Sequence, residues 1–65
     1  VSEGTKVSIH FRMAQDNLDR ASKYMDMMRE AGVTSGRLFM ALSHVEVAGT
    51  HLSHAHQLSV VAEHE

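Results

Sequence analysis

Six histidines stand in a chain of 65 residues, and three of them, His44, His51 and His54, share one sector of the same helical stretch. Imidazole can ligate a metal, carry a proton or donate to an anion. His51 and His54 are one helical turn apart, a spacing that a metal could bridge, with symmetry mates completing the shell. His44 lies about 10 Å further along the axis, too far to share that ion within one chain. There is no Cys, so thiolate ligation is excluded, and the His-Glu-x-x-His spacing of zinc proteases is missing. The sequence therefore assigns no metal and no cofactor. It reads these histidines as polar spacers beside a row of small residues, or as contacts to an organic ligand.

A second stretch with chemical content is Gly32-Val33-Thr34-Ser35-Gly36-Arg37. It opens a helix with free N–H groups, two hydroxyls and a base, which suits helix capping or the capture of a phosphate. Nothing resembles a nucleophile triad, because a pair of helices has no cleft to hold base, orienting acid and oxyanion site together. Asp16 and Asp19 fall on a charged, solvated face, and there is no Gly-rich phosphate loop. An enzyme is not expected.

These side chains must be carried by helices. The chain has no Pro and no Trp, and is rich in Met, Ala and Leu, which favours an all-α fold. Val7, Ile9, Phe11 and Met13 alternate with polar residues as a strand would. Yet Val7, Phe11, Ala14, Leu18, Ala21, Met25 and Met28 form a longer three-four series, which predicts a helix over about 8–31. Residues 1–6 are expected to fray. Asp16–Arg20 and Asp19–Lys23 are spaced for i,i+4 pairs. Gly32 supplies the stop, Thr34 or Ser35 the next cap, and the second helix is expected over about 35–62. Gly49 inside it reads as a packing dimple, a slight bend or a point of close approach to a ligand.

Ala41, Ala48, Ala55 and Ala62 recur every seven residues, interleaved with Leu38, Val45, Leu52 and Ser59. This is the pattern of a seam along which another helix packs closely. A turn of 32–35 makes the helices antiparallel neighbours. A single domain over 1–65 is expected, an antiparallel two-helix hairpin. Tyr24, Met27, Phe39, Met40, Leu42 and Val60 fall outside the main seams and would leave an apolar patch. The hairpin is therefore expected to self-associate into a helical bundle, with Ala41, Val45, Ala48, Leu52 and Ala55 at the oligomer seam. A chain this short is marginal alone.

The formal net charge is −2, which argues against bulk electrostatic grip on DNA. No apolar run approaches a membrane span and no signal-peptide pattern is seen, so a cytoplasmic protein is expected.

Ser43-His44-Val45-Glu46-Val47-Ala48, followed by Leu52-Ser53-His54-Ala55, resembles the second helix of the phage anti-CBASS sponges and the hairpin domain shared with Thoeris sponges. The resemblance implies a helical hairpin that assembles into a dimer or a larger oligomer, up to a hexamer. It implies sequestration of a cyclic di- or trinucleotide immune signal without cleavage, in the bacterial host cytoplasm if the gene is a phage's. Thr50 and His51 depart from the family, which tends to be bulky and apolar there. The resemblance carries only Ser43 and His44 into a ligand site. Arg37, His51 and His54 join them on physical grounds, with Tyr24 or Phe39 as a stacking surface for a base. Lys6-Val7-Ser8-Ile9-His10-Phe11-Arg12 also resembles the strand of ribbon-helix-helix DNA binders, although both helices are too long for that fold. A helical inhibitor or interaction module that binds another protein is the further alternative.

Overall fold

The computed structural model describes residues 2–64. It is an antiparallel hairpin of two 29-residue helices, α1 (Glu3–Ala31) and α2 (Ser35–Glu63). At 1.5 Å per residue each helix is about 43 Å long, and the molecule measures 49 × 15 × 14 Å.

Helix α1 begins earlier than its periodicity predicts. Ser2 is the N-cap: its Oγ accepts from the Thr5 N–H at 3.1 Å, and its carbonyl accepts from the Lys6 N–H. That cap extends order through the stretch expected to fray. Residues 7–13 lie inside α1, so the strand alternative is not realised. The helix has a tertiary reason to continue there, because Val7 and His10 are half-buried on the side that meets α2. At the other end Gly32 has φ 104° and donates its N–H to the Met28 carbonyl. Only glycine takes that φ without steric cost. Thr34 then caps α2, its hydroxyl accepting from the Arg37 N–H at 3.2 Å.

The seam between the helices differs from the one read in the sequence. The buried residues are Ala14, Ala21 and Met28 on α1 and Ala41, Ala48 and Ala55 on α2. Their heptad partners are half-buried: Val7, His10, Asn17 and Tyr24 on one helix, Arg37, His44, His51 and Leu58 on the other. Alanines at the line of contact let the backbones come close, and a branched side chain has no room between them. Ala41, Ala48 and Ala55 are thus consumed inside the chain and are not an oligomer seam. Val45 and Leu52, expected beside them, stay 46% and 43% exposed. Ala62 is exposed as well, beyond the end of the packed region.

The two sides of this seam are unlike. On α1, Phe11, Leu18 and Met25 sit about 40–60° to one side of the alanine row. On α2, Leu38, Val45 and Leu52 do the same, and because the helices are antiparallel both rows turn to one face of the hairpin. Phe11 and Leu52 line a common crevice there, and all six side chains are 43–57% exposed. The opposite face carries two groups, His10 against His51 and His44 against Asn17 and Tyr24.

The expected Asp16–Arg20 and Asp19–Lys23 pairs do not form. Among the described residues the ion pairs are Glu3–Lys6 and Asp26–Arg29, both one turn apart and solvated, where ion pairs contribute little. Gly49 is neither a dimple nor a contact point within the hairpin, because a Cβ added there meets nothing within 4 Å. Gly49→Ala is therefore expected to raise stability by about 0.5–1 kcal/mol, read as a rise of about 2–8 °C in a thermal melt followed by circular dichroism.

Candidate functional site

The residues proposed from sequence as one ligand site lie in three places. Arg37 is at the turn. Its guanidinium donates to the Gly32 carbonyl at 3.0 Å and reaches the Ala31 carbonyl at 3.5 Å. With Thr34 holding the Arg37 N–H, this stretch closes α1 and opens α2, which is the capping role. Ser43 is also occupied, its hydroxyl donating to the Phe39 carbonyl one turn back at 2.8 Å.

Tyr24 and His44 do meet. Their rings stack with centroids 6.0 Å apart and planes 18° from parallel. The His44 ring is fixed from behind. Asn17 donates its amide N–H to the Met13 carbonyl, which turns its Oδ1 toward His44, and Nδ1 of His44 donates to that oxygen at 2.9 Å. A neutral His44 therefore carries its proton on Nδ1 and offers Nε2 as an acceptor. Around this pair Arg20, Lys23 and Met27 complete a shallow crevice. Two cations, a stacked phenol–imidazole pair and a thioether suit a ligand with both negative charge and a planar ring.

His51 and His54 form a separate cluster around a residue that the sequence reading left out. His10 places Nδ1 2.9 Å from Nδ1 of His51. Its ring is 5.2 Å from the rings of both His51 and His54, tilted to the first and edge-on to the second. The signal for His10 was present: Glu3, His10, Asn17 and Tyr24 repeat every seven residues beside the alanines of α1, as Arg37, His44 and His51 do on α2. His56 lies on the opposite, apolar face beside Phe11. No helix among the described residues is long and apolar enough to cross a membrane. No family model, curated protein or solved structure matches the chain.

Proposed function

We propose that the protein is a non-catalytic sponge: a homo-oligomeric helical bundle that holds a cyclic di- or trinucleotide between hairpins, in the cytoplasm, and so silences the signal the nucleotide carries. The observation that carries this reading is the division of the hairpin into two unlike faces. One is apolar and exposed; the other gathers aromatic, basic and imidazole groups.

The apolar face supports self-association. A folded monomer of 7.2 kDa is expected to expose about 4,100 Å². The hairpin exposes 4809 Å². The excess of about 700 Å² is close to the ~800 Å² that each partner contributes to an ordinary interface. Packing Phe11, Leu18, Met25, Leu38, Val45 and Leu52 against the same face of a second copy makes a four-helix bundle with a large-residue core. That bundle turns the polar faces outward. Further contacts through Phe39, Met40, Leu42 and Val47, which are exposed around the outer side of α2, would bring polar faces of neighbouring pairs together.

The crevice supports the ligand class. Arg20 and Lys23 would meet phosphate, and the Tyr24–His44 pair would stack on a base, a contact of about 1–3 kcal/mol. The motif resemblance in α2 points to the same class. A melt followed by circular dichroism, run with a panel of cyclic di- and trinucleotides and with linear mononucleotides as controls, tests the reading. Cyclic ligands are expected to raise the midpoint and to be recovered intact after heating. Tyr24→Ala is expected to weaken binding about tenfold or more, with helix content kept. A panel without any shift would defeat the proposal.

The same apolar face also fits the protein-binding alternative, in which a helix of another protein replaces the second copy. Purified chain that stays monomeric until one partner protein is added would favour it. The ribbon-helix-helix alternative loses its main support, since Lys6 to Arg12 are helical.

A further inference from the structure

We propose that the His10–His51 pair is an acid-sensitive latch between α1 and α2, closed while the two rings share one proton between their Nδ1 atoms and opened when each Nδ1 carries its own. The Nδ1 atoms stand 2.9 Å apart, head to head, in a part-buried contact between residues 41 positions apart in the chain. Such a bond needs one Nδ1 that bears hydrogen and one that is bare. With both rings neutral that condition is met. One added proton goes to Nε2 of the donor ring, and the bond persists with charge assistance. A second added proton has only the bridging Nδ1 left to occupy. Two N–H groups then point at each other, on two cationic rings with centroids 5.2 Å apart.

Among the described residues, nothing facing the pair takes up that second charge. From α1 the charged groups on this face are Lys6, one turn away, and Glu3, which pairs with the Lys6 ammonium at 3.5 Å. From α2 they are His54, edge-on to His10 with centroids 5.2 Å apart, and His44, two turns before His51. Lys6 and His54 line one crevice with His10, so acid adds a further positive charge there. His44 supplies the contrast. Its Nδ1–H donates to the Asn17 amide oxygen at 2.9 Å, an acceptor that serves the neutral and the cationic ring alike. The direction of the effect follows from counting protons. Free imidazole becomes protonated near pH 6.5, so in the unfolded chain both rings gain a proton there, whereas the closed pair has room for one. Stability rises with pH wherever the unfolded state binds more protons, and therefore falls as the solution is acidified. A difference of one proton changes the folded-to-unfolded ratio by up to about tenfold per pH unit.

The experiment uses the full chain, with melts followed by circular dichroism from pH 8 to pH 5 at one protein concentration. Between pH 7 and pH 5 the midpoint of the unaltered chain is expected to fall by about 5–10 °C more than that of His10→Asn or His51→Asn. Asn keeps a polar side chain in the seam and leaves no second imidazole to oppose the first. His56→Asn, on the opposite face, should keep the full drop. Nitrogen NMR of the isotope-labelled chain gives the second readout. At pH 8 the two Nδ1 atoms should carry one proton between them, with a coupling across the bond that is lost on acidification. An equal fall in the unaltered chain and in both seam variants, or two bare Nδ1 atoms at pH 8, overturns the proposal. If a seam variant melts too low to compare, the nitrogen spectra of the unaltered chain decide. One shared proton and a coupling lost in acid support the latch; a coupling unchanged down to pH 5 rejects it.

Discussion

Ala48→Leu is expected to lower the melting temperature by about 4–24 °C, a large loss for one apolar substitution. Ala48 is 1% exposed and sits at the middle of the line where the helices touch. The three added carbons have no void to enter, so the helices must separate or slide. Overpacking of this kind costs about 1–3 kcal/mol, and in a domain this small each kcal/mol moves the midpoint by about 4–8 °C. Separation also pulls apart the contacts flanking Ala48, the Asn17–His44 hydrogen bond on one side and the His10–His51 contact on the other. Ala62→Leu serves as the control. Ala62 is exposed beyond the seam, and its substitution should change stability by no more than about 0.5 kcal/mol. A tolerated Ala48→Leu would mean that the helices do not approach through their alanines.

If the hairpin self-associates through its apolar face as proposed, Leu52→Asp is expected to leave monomers of 7.2 kDa, read by sedimentation or light scattering, and to cost much of the helix content at micromolar concentration. Leu52 is 43% exposed in the single hairpin, so a carboxylate there is hydrated and costs the monomer little. In a four-helix bundle the same carboxylate leaves water for a surface formed by Phe11, Leu18 and Val45, and His56, one turn on in the same crevice, offsets only part of a cost of several kcal/mol per subunit. Because symmetry repeats the change in every copy, the penalty multiplies with subunit number. Ser53→Asp, one residue on and turned away from that face, should leave the mass unchanged. Unaltered protein that is a stable monomer, or a Leu52→Asp variant that assembles normally, would rule out this face as the interface.

The elements were legible because their punctuation is local. Gly32 and Thr34 mark the turn by conformational demand alone, and the two helices follow from periodicity. The start of α1 was misplaced because Ser2 acts through a cap, and a single capping hydroxyl is a weak sign beside a long apolar series. Residues 7–13 were ambiguous for a different reason. Their alternation fits a strand, and only the packing of Val7 and His10 onto α2 decides for helix. The seam was read about 25° off centre on each helix. Following the large apolar residues joined Val45 and Leu52 to the alanines. The fold instead centres the alanines and sets histidines on one side and large side chains on the other. Distance between helices decides this, and distance is a property of the pair that neither helix states alone. The same blindness hid His10, whose partners lie 41 and 44 positions along the chain, while Tyr24 and His44 were named separately without their stacking being visible.

The three-residue turn has a mechanical consequence. Glu3 and Glu63 emerge at the same tip of a rod 49 Å long. Tension applied through those two ends does not load the whole interface in parallel, as it would if the helices were pulled past each other. It peels them apart from the open tip, first near Leu58 and Ala55, then at the imidazole pair, then at Ala48, each rung yielding before the next is strained. A second hairpin packed across both helices near the open tip would stop the peel where it starts.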